Sequence, residues 1–521
     1  MHQSTAFVQK IMSTTKPQTA VDVEKDPLIV IASNRGPFSF SRDENGDFSV
    51  RRGEGGLVTA LWALAQQNKV LWIAAALSDD DRAWAAQHAN KITEFSGIFL
   101  KLITPDREQY DLYYNEISNP LLWFIHHELW DVPRSPVITR RVWEAWDAYR
   151  AVNEQFAEVI AESIEEMSQD DEDRPIIVFP QDYHLYMVPY FLRKRVGDRV
   201  QIQPFIHIPW PGPDAWRLFP EKMRTAIIKS LLSSDRIGFQ TKRDAFNFVQ
   251  TARFHLNDAH SYGARDSITY QERKVAARAY PISVDVEKVQ AIAEEPQTQL
   301  LKNQLLQTVG DGKLILRVDR VEPSKNILRG LQAYRTLLEE HPEHRGKVVM
   351  MALLVPSRME VEHYQSYLKE IMAEAGMINA DFATEFWEPV RTILGNNYHR
   401  AIAAMQLYDV LLVNPIADGM NLVAKEGALV NQRNGVLLLS EYAGAFYEMG
   451  EYALSITPVD VYGTAEAMHH ALTMDMAERA ERAEKLREIV ANSGVTYWFH
   501  RQVADAMHAL RATYRTSPEE Q

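Results

Sequence analysis

The stretch Val410-Leu411-Leu412-Val413-Asn414-Pro415-Ile416-Ala417-Asp418-Gly419-Met420-Asn421-Leu422-Val423-Ala424-Lys425-Glu426 decides the fold. Val410 to Val413 is an apolar run that reads as a buried strand. The chain then becomes helical from Leu422 to Val430. A helix start offers unpaired N–H groups and the positive end of the helix dipole, so it suits a phosphate. Asp418, placed before that start, and Glu426, one turn in, are each able to hold sugar hydroxyls. One short element can thus grip a sugar, a diphosphate and a ribose together. The same residues also read as an N-capped core helix with a solvated glutamate.

The alternation seen here repeats in both directions. Strands are expected at Leu28–Ser33, Val70–Ala76, Pro175–Pro180, Ile202–Ile208 and Ile237–Gln240, with helical patterns between them. The pattern restarts at Lys313–Val318 and continues through Lys347–Leu354, Val410–Val413, Val436–Leu439 and Ala453–Ile456. Strands alternating with helices imply parallel sheets covered on both faces. The expectation is α/β, with two doubly wound domains facing a central cleft. Residues 1–26 read as a flexible extension, 27–281 and 282–490 as the two domains, and 491–521 as a helix packing back across them. The segment around Tyr280–Val286 is the expected linker.

Composition narrows the classes. The 521 residues carry 56 Lys+Arg against 70 Asp+Glu, a net charge of −14. An acidic surface argues against nucleic-acid binding. No cysteine is present, which excludes disulfides and thiolate metal sites and suits a reducing cytoplasm. No apolar run reaches the ~18 residues of a spanning helix, and the polar N-terminus lacks a signal-peptide core. Asp79-Asp80-Asp81 and Asp170-Asp171-Glu172-Asp173 read as solvated caps and loops. No ligand spacing argues for a tightly bound metal.

Other candidates sit at the carboxyl ends of strands, where ligands bind in open α/β sheets. Arg35, in Ser33-Asn34-Arg35-Gly36-Pro37, can clamp a phosphate or be a surface arginine beside a turn. Gly53-Glu54-Gly55-Gly56-Leu57 precedes a helix, and its backbone can approach a diphosphate closely. Asp182 can accept from a hydroxyl or cap a helix. His207 can bond a sugar hydroxyl or be a satisfied structural residue. Arg320 and Lys325 bracket a turn, where two fixed cations would stabilise a departing diphosphate. Arg358 offers a further cation.

These segments resemble the trehalose-6-phosphate synthases, a retaining family of GT-B glycosyltransferases, from about Leu28 to about Arg511. The motifs are Ser33-Asn34-Arg35, Gly55-Gly56-Leu57, Tyr113-Tyr114-Asn115 with Ser118-Asn119 and Leu122-Trp123, Asp182-Tyr183-His184, His207-Ile208-Pro209, Arg320 with Lys325, Ser357-Arg358, and Asp418 through Glu426. The resemblance implies that Arg35, Tyr114, Trp123 and Arg358 hold an acceptor sugar phosphate. It places Gly56 against the donor phosphates, and Asp182 and His207 at the reacting sugars. Arg320 and Lys325 would bind the diphosphate. Asp418, Gly419, Met420, Asn421 and Leu422 would hold donor sugar and phosphates, and Glu426 the ribose.

The implied activity moves glucose from a nucleoside diphosphate (UDP, GDP or ADP) to glucose 6-phosphate, giving trehalose 6-phosphate. No tightly bound cofactor is implied, and a cytoplasmic dimer or tetramer is common in the family. Three departures stand out. Leu71-Trp72-Ile73-Ala74-Ala75 lacks the family's second tryptophan, Glu322-Pro323 replaces its usual turn, and Trp210 replaces a phenylalanine. They are similar to a branch of pseudo-glycosyltransferases that join cyclitols. A cyclitol phosphate or another phosphorylated acceptor is therefore the alternative. A non-catalytic sugar-phosphate sensor is a third reading, opposed by the intact leaving-group grips.

Overall fold

The computed structural model describes residues 21–53, 69–310, 312–357 and 362–515. Every residue of Leu28–Ser33, Val70–Ala75, Ile176–Pro180 and Val410–Val413 is buried. A strand without a polar face needs cover on both sides, which helices flanking a parallel sheet supply. The first sheet runs Thr93–Phe95, Ile98–Ile103, Val70–Ala75, Leu28–Ser33, Ile176–Pro180, Gln201–Ile202, parallel apart from its first pair. The sheet of the second lobe runs Val390–Leu394, Val348–Val355, Lys313–Arg320, Val410–Val413, Val436–Ser440, Leu454–Ile456, and is parallel throughout.

Each of these sheets starts centrally and reverses its order beside its first strand. The first switch point lies between Leu28–Ser33 and Ile176–Pro180, and the second between Lys313–Arg320 and Val410–Val413. A doubly wound sheet opens its crevice at such a point, beyond the carboxyl ends of the strands.

The run Ile202–Ile208, expected as one strand, is two. Gln201–Ile202 closes the first sheet, and Phe205–Ile206 joins a separate sheet beside Arg236–Phe239. Pro204 between them has no N–H to give a ladder, so the chain changes sheets there. That separate sheet continues through the antiparallel pair Ser267–Tyr270 and Arg273–Ala279.

The last helix, Val495–Arg515, lies against the first lobe. Phe499 meets Phe179 at 4.8 Å and Trp498 meets Phe205 at 5.0 Å between ring centroids. Trp498 Nε1 donates to the Tyr280 carbonyl at 2.9 Å, and Tyr280 Oη to Asp505 at 2.7 Å.

The acidic clusters are caps and ion pairs, with Asp79, Asp170 and Glu172 exposed. Ser78 and Asp81 form a capping box, buried Asp81 also accepts from Phe40 N, and Asp80 holds Arg42. Asp171 and Asp173 both hold Lys25. Gly56, the helix expected at Leu57–Gln67, and Arg358 lie outside the described residues. Among the described residues no helix is long and apolar enough to cross a membrane.

Candidate active site

At the second switch point, strand Lys313–Arg320 runs into a single 3-10 turn, Pro323–Lys325. Asn326 ends that turn at φ 56°, and its side chain donates to the carbonyls of Asn414 (3.0 Å) and Pro458 (2.7 Å). The turn is thereby tied to the segment leaving Val410–Val413. Beneath it, the fully buried guanidinium of Arg317 donates to Asp319 at 2.8 and 3.0 Å and to the Lys325 carbonyl at 3.1 Å. Gly330 lies against Arg317 so closely that a Cβ there would overlap the guanidinium.

Lys325 is thus presented by backbone that cannot easily move. Its ammonium pairs with Asp418, the two side chains being 13% and 16% exposed. Burial works against an ionised Asp418. The Lys325 ammonium and a bond from Asn421 Nδ2 at 3.1 Å outweigh it and hold the carboxyl below the usual carboxylate range. Asn421 adopts φ 81° and caps helix Leu422–Val430 by accepting from Ala424 N at 3.2 Å. Arg320 is half exposed and rests on buried Glu322 at 3.1 Å, which also accepts from Ser357 Oγ at 3.0 Å. Further along the same helix, burial lifts the Glu426 carboxyl to a pKa of about 7, and Tyr398 Oη donates to it at 2.8 Å.

The two lobes meet main chain to main chain. A Cβ on Gly419 would overlap the His207 carbonyl oxygen, and one on Gly444 would overlap the Gly419 carbonyl. Gly444 N donates to the Asp418 carbonyl at 3.0 Å and Ala445 N to Met420 at 2.7 Å. His127, from the first lobe, is close enough to Asp418, Glu322 and Lys325 to feel their charges. Burial holds it neutral, with a pKa of about 4.

His207 differs from a simple sugar contact. Its Nε2 meets Gln181 Oε1 at 3.0 Å and its Nδ1 meets Gln240 Nε2 at 3.4 Å. Gln181 Nε2 donates to the Phe179 carbonyl, and Gln240 Oε1 accepts from Ile282 N. These neighbours orient both amides and assign the proton to Nε2. Both ring nitrogens are committed, so it is the main chain of His207 that meets Gly419. Burial alone depresses the imidazole to about 3.

Asp182 sits at φ 68°, a left-handed conformation costing a non-glycine residue about 1–3 kcal/mol. Its carboxylate accepts from His207 N at 3.1 Å rather than capping the turn that follows.

The first switch point gathers aromatic and amide groups. Asn34 Oδ1 accepts from Tyr110 and Tyr113 hydroxyls, each at 3.1 Å, and Arg35 beside it is exposed. Residues Leu112–Leu122 form wide π-type turns. Pro120 removes one donor from that helix, while Ser118 Oγ and Asn119 Nδ2 donate to the carbonyls of Tyr113 and Tyr114. Half-buried Tyr114 stacks on Tyr110 and on His184. Trp123 is buried and stacks on His127 at 3.9 Å. Of the departures, Trp210 is a core residue, bonded to Thr251 and stacked on Trp216, while Glu322 anchors Arg320.

Sequence reasoning assigned nothing to His127, Arg317, Gln181 or Gln240. Arg317, on a strand between apolar residues, is a signal that was available, since a charge inside a buried strand needs a partner. A groove of about 630 Å³ lies at the opposite, amino-terminal edge of the second sheet. The convergence of charge, rather than cavity size, marks the site.

Two doubly wound lobes, meeting where a lysine–aspartate pair lies near the neutral His127, have the architecture of a GT-B glycosyltransferase. The chain belongs to glycosyltransferase family 20, whose sequence profile matches residues 27–508. The UDP-forming alpha,alpha-trehalose-phosphate synthase of Schizosaccharomyces pombe is 30% identical over 92% of this chain and 90% of its own. A bifunctional trehalose-6-phosphate synthase/phosphatase of Thermoproteus tenax is 32% identical over 90% of this chain and 62% of its own. Among solved structures, an E. coli protein described as trehalose-6-phosphate bound with UDP-2-fluoro glucose superposes with a TM-score of 0.78 at 27% identity, covering 92% of this chain and 99% of that one. The Burkholderia xenovorans synthase in complex with glucose-6-phosphate gives 0.77 at 28%, with the same coverage.

Proposed function

We propose that the enzyme transfers glucose from UDP-glucose to glucose 6-phosphate with retention, forming trehalose 6-phosphate and UDP. The observation that carries this reading is the Lys325–Asp418 pair, set at one switch point and backed by the main chain of the other lobe at Gly419. The UDP-forming relatives and the ligands of the E. coli and Burkholderia structures support the substrates.

In this reading Arg320 and Lys325 receive the β-phosphate as the C1–O bond breaks, stabilising charge that grows toward the transition state. The acceptor hydroxyl forms the new C1–O bond on the face the phosphate leaves, and its proton passes to a β-phosphate oxygen. Asp418 and the backbone of Gly419, Met420, Asn421 and Leu422 seat the donor. Glu426 holds the ribose, and Gly56 lies against the phosphates. Arg35, Tyr114, Trp123 and Arg358 form the acceptor-phosphate side. Asp182 orients the reacting sugar together with the carbonyl of His207. The domains divide near 281.

A second acceptor reading keeps one observation in its favour. Ala75, buried at the end of Val70–Ala75 where the family has tryptophan, leaves a smaller side chain beside Asn34, whose carbonyl accepts from Ala75 N at 3.3 Å. A coupled nucleotide-release assay tests both, with UDP-, GDP- and ADP-glucose against glucose 6-phosphate and cyclitol phosphates, and the product identified by mass. UDP release with a product of trehalose 6-phosphate mass is expected. No release with any donor and glucose 6-phosphate would remove the first reading.

A further inference from the structure

On the far side of the second lobe, three histidines and two glutamates converge outside the machinery described above. His341 follows helix Ile327–Glu340, Glu343 and His344 lie on the next turn, and His469 projects from helix Val461–Thr473. His344 Nε2 faces His469 Nδ1 at 3.0 Å. Glu343 Oε1 lies 3.6 Å from His341 Nδ1 and 3.9 Å from His469 Nδ1. Donor atoms around a tetrahedral ion at ~2.0–2.1 Å stand roughly 3.3–3.4 Å from one another, so the three separations bracket the edge of such a tetrahedron.

The second layer is present too. His341 Nε2 meets Glu466 Oε1 at 2.8 Å, which puts the proton on Nε2 and leaves the Nδ1 lone pair facing Glu343. His344 and His469 meet at 63° between ring planes and share one proton across their 3.0 Å contact, the proton an ion would displace. His341 and His469 are stacked at 3.7 Å and 11°. A lone pair lies in its ring plane, so one of these two rings must turn before both can hold a single ion.

We propose that His341, Glu343, His344 and His469 bind one divalent transition-metal ion of the zinc class. Three imidazoles and one carboxylate select Zn²⁺, Cu²⁺ or Ni²⁺ over the hard cations Mg²⁺ and Ca²⁺. The ion would clamp the carboxyl end of helix Ile327–Glu340 to helix Val461–Thr473. Glu343 and His344 line the 630 Å³ groove, which gives the ion access from solvent. Three of the ligands lie together in His341-Pro342-Glu343-His344, and His469 joins them from 125 residues beyond His344.

The test is calorimetric titration of the full chain with ZnCl₂ and with MgCl₂, alongside visible absorption of the Co²⁺ form. The expected result is one Zn²⁺ per chain, no Mg²⁺ uptake, tetrahedral Co²⁺ bands, and a raised melting temperature with Zn²⁺. His469→Ala loses all of these, whereas His470→Ala, altering the exposed neighbour, retains them. Glu466→Gln, a mild change that spares the fold, lowers Zn²⁺ affinity by ~10–100-fold. The proposal is overturned if wild-type protein takes up no Zn²⁺, or if uptake is undiminished in both His469→Ala and Glu466→Gln.

Discussion

Replacing Lys325 by alanine separates two contributions that the structure couples. The ammonium is the buried partner of Asp418 and, in the proposed reaction, a fixed charge beside the departing β-phosphate. Losing one such contact costs about 2.7–4 kcal/mol of transition-state stabilisation, a factor of ~10²–10³ in turnover. The variant also strands a carboxylate with only the Asn421 amide beside it. Breaking a buried pair costs about 3–5 kcal/mol. The lower end applies here, because Asp418 is free to take up a proton.

The pH dependence carries a sign. Asp418 has a depressed pKa in the native protein, so its stabilising contribution is fully present above the ordinary carboxylate range and is lost as pH falls below that range through the depressed value. The stability gap between wild type and Lys325→Ala is therefore widest near neutral pH and is fully closed only below the ordinary carboxylate range. Adding Asp418→Asn removes the stranded charge, so the double variant should regain melting temperature without regaining turnover. Thermal melts across pH, with single-turnover UDP release, read both quantities. Near-normal turnover in Lys325→Ala would refute the leaving-group role. Recovery of turnover in the double variant would show that Lys325 serves only to neutralise Asp418.

Three further outcomes are expected. Gly419→Ala wedges a methyl group against the His207 carbonyl, and a misplacement on the scale of 1 Å costs ~10²-fold in kcat while each lobe stays folded by circular dichroism. Glu426 ionises near pH 7 because burial raises it, so donor KM falls as pH rises through 7; in Glu426→Gln this inflection, read from KM against pH, disappears. Gly330→Ala drives a methyl group into the Arg317 guanidinium and lowers stability by about 1–3 kcal/mol, measured by denaturant titration.

The strands that were legible are those with no polar face. Leu28–Ala32 and Val410–Val413 announce themselves because burial on both sides leaves only apolar residues. Ile202–Ile208, apolar apart from Gln203 and His207, splits at Pro204, since periodicity does not say which sheet a residue joins. Asp418 and Asn421 stand at a helix start that their own sequence discloses, whereas the pairing of Lys325 with Asp418 joins residues 93 positions apart. His127 was not, as its nearness to Asp418 arises only when two lobes close on each other. The fate of His207 was hidden as well. Its ring is settled by Gln181 and Gln240, residues 26 and 33 positions away. For Gly56 and Arg358, only the motif speaks.

The junction of His207, Gly419 and Gly444 has one further consequence. Because His207 and Gly419 meet through their peptide groups, this part of the proposed donor seat does not depend on which side chains line the opposite wall. Residues such as Ala75 or Tyr114 can be exchanged to admit a different acceptor without disturbing how the donor is presented. Swapping the acceptor wall as a cassette, with 418–426 left untouched, is the engineering route this architecture invites.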